Sequence, residues 1–547
     1  MRLWHLHWLR PSFAFLAVAA CILCPRAAHA TVLKSNIAGA HYKANAPAQI
    51  ELTRARSRLR LNNLKGAFDA AHEAARLDSL SGEVFDQVGT LALRRGKYRM
   101  ARDAFEQAAA LSPEQAPIWN RLAQVSIMQL GLEQQGLKAL EYAHAADSMY
   151  SSAYYTEFIY HWTRCEFPEA AQAIQQARTF ESDEGRSLIW YSAQLGFQMS
   201  GGDFASLRKA LEIYLGQASN DFGARQLLAQ AERGLGDSKA AKETLRMLLA
   251  IDPRQPVWLS EAGLVRRALG ERDSALVFFD LAIASDSSSY DAGYNRALEL
   301  LARRDTVLAF RELRRLRRVD PDNWLTPLLA SRIARAQGDT ARAALAFEEA
   351  RRLNPAVGLA RAARVGAAAE VPAWSSPELE AAEDLIERGE FGLAGYKLYQ
   401  AGQDEARRGA ALYWLSRVTR ISGGAAGLPV IAAEAAAEAT HGDPVVVRAL
   451  AEAQYAAGAL DDAVGNLRTV RKTASDDLVA GALEAEVRLA RGDLTGARGV
   501  FNEVGREPTR SYRVESIRAT VFSAANDAAA AFARQRAASV DYLPAGS

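Results

Sequence analysis

The chain is poor in cysteine, in aromatics, in net charge and in long apolar runs. Three cysteines stand in 547 residues, and Cys21 and Cys24 fall within the first thirty. Cys165 alone remains beyond them, so no internal disulfide can staple the rest and packing must hold it. The longest apolar stretch, Phe13 to Leu23, falls short of the ~20 residues a bilayer-spanning helix needs. Formal charge is +2. Arg2, Arg10 and Arg26 lie in a first segment that holds no acid, and without them the balance is −1. That near-neutrality argues against general nucleic-acid binding, which needs a basic excess. Hydrophobic residues at 49% and charged residues at 24% exclude wholesale disorder and a multi-span membrane protein.

The first thirty residues read as an export signal. Arg2 and Arg10 charge the start, the apolar run Phe13–Leu23 follows, Pro25 breaks it, and Ala28-His29-Ala30 offers small residues at −3 and −1 of a cleavage site. A second reading competes. Val18-Ala19-Ala20-Cys21 fits a lipobox, in which Cys21 becomes the lipidated first residue. The expected location is the periplasm after cleavage at Ala30, or an outer-membrane anchor if Cys21 is used.

What fills the remainder is one unit repeated. Turn slots fall at Gly66, Gly96, Gly131, Cys165, Gly202, Gly236, Gly270, Arg304, Gly338, Gly389, Gly423, Gly458, Gly492 and Asn526. Eight of the thirteen spacings are 34 residues, which makes the period a property of the chain rather than of one segment. Most slots hold Gly or Asn, the residues that tolerate positive φ at a helix end. Five residues on stands a small residue, as at Ala101, Ala170, Ala241, Ala275, Ala309 and Ala343. Four further stands a bulky one, as at Phe105, Phe279, Leu313 and Phe347. Small then large at i+4 marks one helical face that a neighbouring helix approaches closely. Pro113, Pro253, Pro321 and Pro355 close their units.

On these residues the chain resembles the tetratricopeptide repeat, a 34-residue helix–turn–helix. Phe85, Val88, Gly89, Gly96, Tyr98, Ala101, Phe105, Ala108 and Pro113 match its signature nearly complete. The resemblance covers about Ile50 to Ser539 in fourteen units, and it implies an all-α, right-handed solenoid whose first helices (helix A of each unit) line a concave surface. The eleventh unit fits worst, with Pro429 inside its second helix, helix B. The expected organisation is a signal peptide at 1–30, a loose extension at 31–47, an array of about nine units at 48–355, a half-repeat and linker at 356–377, and a second array of about five units at 378–547.

No catalytic constellation is present. The five later histidines, His41, His72, His144, His161 and His441, are scattered without metal-site spacing, and no phosphate loop or nucleophile elbow occurs. The expectation is no enzyme, no cofactor and no metal. The resemblance implies instead a partner-binding groove. Its candidates are Asn120, Gln124 and Met128 in the third unit, Tyr155, Ile159 and Trp162 in the fourth, and Met199 in the fifth. In this register Tyr154 and Phe158 pack between helices while Tyr155 and Trp162 look into the groove. Arg233, Arg267, Arg332 and Arg335, with Tyr294 between, form a basic ladder suited to carboxylates. Internal pairing of that ladder with Glu299 and Glu312 is the competing expectation. The expected partners are proteins or peptides, in a secretion or polysaccharide-export assembly. The alternative is a carbohydrate or anionic polymer bound by the aromatic wall and the ladder. Nucleic acid and a transmembrane span are not expected.

Overall fold

The computed structural model describes residues 34–61, 63–181, 203–358, 374, 376–422, 425–503, 509–525, 533 and 537. Among them stand 26 α-helices and no strand beyond an isolated bridge between His41 and Ser81. The helices come in antiparallel pairs of similar length, such as Gly82–Arg94 with Tyr98–Leu111 and Pro256–Ala268 with Arg272–Ser285. Most of the described helices pack on the one before and the one after, the nearest-neighbour stacking of a solenoid.

The turn chemistry explains the pairing. Gly236, Gly270 and Gly338 adopt φ near +80°, which ends one helix without a Cβ clash. Aspartate then caps the next helix: Asp237 accepts from the Ala240 amide and Asp339 from the Arg342 amide. Cys165 and Arg304 take the same left-handed conformation, at φ 56° and 63°, despite their side chains. Gly66 does not: it is the third residue of the helix Leu64–Leu77, and its amide binds the Asn63 cap. Gly202, Gly423 and Asn526 lie outside the described residues.

Packing follows the small-then-large pattern. Ala101, Ala241, Ala275 and Ala309 are fully buried, as are Phe105, Phe279 and Leu313 four residues on. Across the pair a glycine accepts the ring, and a Cβ on Gly89 would stand 2.6 Å from Phe105. Pro113, Pro253, Pro321 and Pro355 each follow closely on a helix ending at Leu111, Ile251, Val319 or Leu353. Pro429 differs from expectation. It occupies the first turn of Leu428–Ala439, where no amide is needed, and so does not break the helix.

The described part of the expected extension, from Lys34 on, is held rather than loose. Ser35 donates to the Ala110 carbonyl at 2.6 Å, the Gly82 amide to His41, and His41 meets Asp78 at 3.1 Å. The break expected at 356–377 lies mostly outside the described residues. The units on either side of it nonetheless share one apolar core. That core runs from Cys165 and Tyr294 through Phe391 and Trp414 to Val521.

The candidate groove and its internal occupant

Half of the positions expected to face a partner, Met128, Trp162, Arg233, Arg267, Tyr294 and Arg332, are met by the chain's own second array. The helix Phe391–Gly402 and the turn before it lie against the ends of first helices of the fourth and of the sixth to ninth units. Trp162, 7% exposed, packs on Tyr399 with ring centroids 5.4 Å apart, and also touches Phe158 and Phe167. Tyr294 is fully buried. Its ring lies beside Phe391 and its hydroxyl donates to the Glu387 carbonyl at 3.1 Å. Cys165 is buried where Gly402 leaves room for its sulfur, and burial pushes its thiol up to about 12.

The basic ladder is satisfied in the same way. Glu390 is clamped by Arg233 and, at 2.9 Å, by Arg267. Arg233 also holds Glu261 at 2.6 Å, and Arg267 reaches Asn295 and the Arg388 carbonyl, each at 2.9 Å. Burial opposes the charge on Arg233, but Glu261 and Glu390 outweigh it and raise its pKa. Arg332 binds Glu387 twice, at the carboxylate (2.7 Å) and the carbonyl (2.9 Å). Gly389 takes φ +74° between these acids, and a Cβ there would collide with Asn295. The expected pairing with Glu299 reduces to a 3.8 Å contact from Arg267, and Glu312 pairs with Arg296 and Arg315 outside the ladder. Arg335 alone of the ladder is exposed.

The third unit closes onto the eleventh. Its first helix passes into a π turn over Val125–Leu130, and there the Gly427 amide donates to the Met128 carbonyl at 2.9 Å. A Cβ on Gly427 would stand 2.3 Å from the Ile127 oxygen, so the backbones touch. Nearby, Arg164 joins Glu133, Glu166 and Glu438 across the two arrays. Asn120 is buried and accepts from Thr156, to which Gln124 donates. Tyr155 donates to Glu181, Ile159 packs beside Trp162, and Met199 lies outside the described residues.

Further ties complete the closure. Arg513 grips Asp322 and Glu486, each at 2.6 Å, Arg420 meets Asp320 at 3.2 Å, and Tyr413 donates to Asn354 at 2.6 Å. Apart from Arg513 and Glu486, these partners are more than fifty residues apart, and no local pattern in the sequence marks them. The charge sequence Glu387-Arg388-Gly389-Glu390 in a turn slot was the one available signal for the counterpart of the ladder.

Among the described residues no group of metal-ligating side chains comes together, and no helix is long and apolar enough to cross a membrane. No family model matches the chain, and no curated protein does. Solved structures with a similar fold are distant. A tetratricopeptide repeat protein from Parabacteroides merdae is 15% identical, with TM-score 0.36, over 44% of this chain and 94% of its own. Yeast Tom70 is 14% identical with TM-score 0.26, over 90% and 100%. A human IFIT1 dimer is 16% identical with TM-score 0.38, over 72% and 90%. Scores this low carry no argument about function, and the assignment rests on the repeat geometry itself. With paired helices on a 34-residue period, left-handed turn residues and small-to-large packing in register, the chain is an α-solenoid of tetratricopeptide repeats.

Proposed function

We propose that this protein is a non-enzymatic scaffold of the bacterial cell envelope that binds partner proteins or peptides. One observation carries the reading: among the described residues, stacked helix pairs offer long surfaces and gather no group of metal-ligating side chains. The export pattern of the first thirty residues supplies the compartment. A place in a secretion or polysaccharide-export assembly rests on analogy between folds alone.

The internal closure changes where partners would bind. Trp162, Tyr294, Arg233 and Arg267 are spent on the chain's own helices, so the working surface is the outer wall and the edges of the solenoid. The same contacts disfavour a sugar or anionic polymer in the groove, because the aromatic wall and the ladder are already engaged.

Intact-mass measurement of the exported protein tests the compartment. A mature start at Thr31, or at a lipidated Cys21, supports it, with Cys21→Ser releasing the protein from membranes in the second case. A full-length cytoplasmic chain overturns it. Co-purification of defined envelope proteins supports the scaffold, whereas retention on polysaccharide alone overturns it.

A further inference from the structure

The outer wall of the sixth to ninth units is both apolar and basic. Met247 and Ile251 on the helix Ser238–Ile251, and Val277 and Leu281 on Arg272–Ser285, are exposed by 42 to 56%. Val307 and Leu345 continue the row on the next two second helices, exposed by 63% and 53%. Solvation cannot account for large apolar side chains exposed on four successive second helices, since scattered single exposures are the norm.

Between the first two of these helices runs a cleft of about 420 Å³. Leu249, Phe278 and Leu281 form part of its apolar lining, and the only charges that line it are Lys242, Arg246 and Arg266. Lys242 and Arg266 converge on Glu271, and Arg246 on Glu243, acids that stand outside the cleft. The helix Thr306–Val319 lies alongside. Arg296 bridges it to the neighbouring helix through Asp280 and Glu312, and Arg315 reaches the Ser287 carbonyl. It carries Arg311, Arg314, Arg315, Arg317 and Arg318 against one acid of its own, Glu312, which Arg315 holds. Arg311, Arg314 and Arg318 are exposed and make no ion pair among the described residues. They recur at i, i+3 and i+7 and therefore share one face. Asp273 and Asp280, the acids of the middle helix, are neutralised from below by Arg303 and Arg296.

We propose that this outer face is a docking site for an acidic, amphipathic helical segment of a partner protein. The shape favours a helix, because the cleft recedes between two roughly parallel helices and so accepts the side-chain ridge of a third. A bilayer would need apolar groups that project beyond the charged rim. The charge favours acidic flanks, since three guanidiniums without an ion pair among the described residues lie on the next second helix beyond the cleft and can take carboxylates in bidentate pairs. The inference rests on the scaffold reading but not on export, and the two fail separately.

The probe is a synthetic helical peptide with leucines along one face and glutamates elsewhere, labelled and titrated with the full chain by fluorescence anisotropy. A lysine-for-glutamate version is the control. The acidic peptide is expected to bind, and to bind more weakly as salt rises, because exposed charges are screened within about 10 Å at ~0.1 M. Val277→Asp with Leu281→Asp should weaken it at least about tenfold, as should Arg311→Glu, Arg314→Glu and Arg318→Glu together, given hot-spot losses of about 1–2 kcal/mol or more. All five positions are exposed, so thermal melts should match wild type. Should the aspartate pair unfold the chain, Val277→Ser and Val307→Ser replace it. Equal binding of both peptides, or variants with unchanged affinity, overturns the proposal. So does co-sedimentation with vesicles of anionic phospholipid when the acidic peptide does not bind. A chain that is not exported but binds the peptide overturns the envelope reading and leaves this one standing.

Discussion

Glu390 pairs with Arg233, a residue 157 positions earlier in the chain. The contact joins the turn of the tenth unit to the first helix of the sixth, and it converts a lined groove into a filled one. Arg233 is 7% exposed, so its charge is held by acids rather than by water.

Removing either partner should therefore be costly. Breaking a buried ion pair leaves an uncompensated charge, typically at a cost of about 3–5 kcal/mol. Because Arg233 keeps Glu261, and Arg267 keeps Asn295 and the Arg388 carbonyl, Glu390→Gln should fall at about 2–3 kcal/mol on the same scale. Arg335→Ala, at an exposed site, should stay within about 0.5 kcal/mol. Urea denaturation of the two variants checks this; equal effects would mean that the arrays do not close through Glu390.

The backbone contact between Gly427 and Met128 predicts a steric result. Gly427→Val would drive a Cβ to 2.3 Å from the Ile127 oxygen and should destabilise by about 3 kcal/mol, the upper range for overpacking. Gly216→Ala, in a helix with nothing within 4 Å of the new carbon, should be neutral or stabilising by up to ~1 kcal/mol. Thermal melts distinguish these outcomes.

Trp162 carries a prediction that the groove reading alone would invert. As an open wall residue its loss would spare the fold. Packed on Tyr399, Phe158 and Phe167, Trp162→Ala should cost about 3–5 kcal/mol. Ala343→Leu should cost about 1–3 kcal/mol, because Ala343 is buried and its carbonyl receives the Ser331 hydroxyl at 2.8 Å. Glu348→Leu, on the exposed side of the same helix, should cost little. Chemical denaturation of all three reads the order; a tolerated Trp162→Ala would reopen the groove as a binding site.

The closure also sets a pH dependence. Burial, then the Glu133 carboxyl beside it, push Glu434 up to about 8 from the ordinary 4.5. The folded chain thus binds a proton that the unfolded chain releases, and stability falls as pH rises from about 4.5 to about 8, then levels. Glu434→Gln should flatten that fall relative to wild type. Denaturation midpoints across the range test it; parallel curves for the two proteins would refute the assignment to Glu434.

The 34-residue period, the turn slots and the small-to-large register were legible in the sequence because they are local. A residue that needs positive φ, a capping aspartate and an alanine under a helix crossing each obey constraints within one unit, and the units repeat them. Cys165 and Arg304 were legible in the same way, since the spacing marks the slot whatever residue fills it. The tertiary structure decided what the groove holds. Glu390 meeting Arg233, Tyr399 meeting Trp162 and Gly427 meeting Met128 depend on how small rotations between units accumulate along the solenoid until one array reaches another. No single unit encodes that sum, so a side chain on a first helix reads alike from sequence whether it faces water, a partner or its own chain.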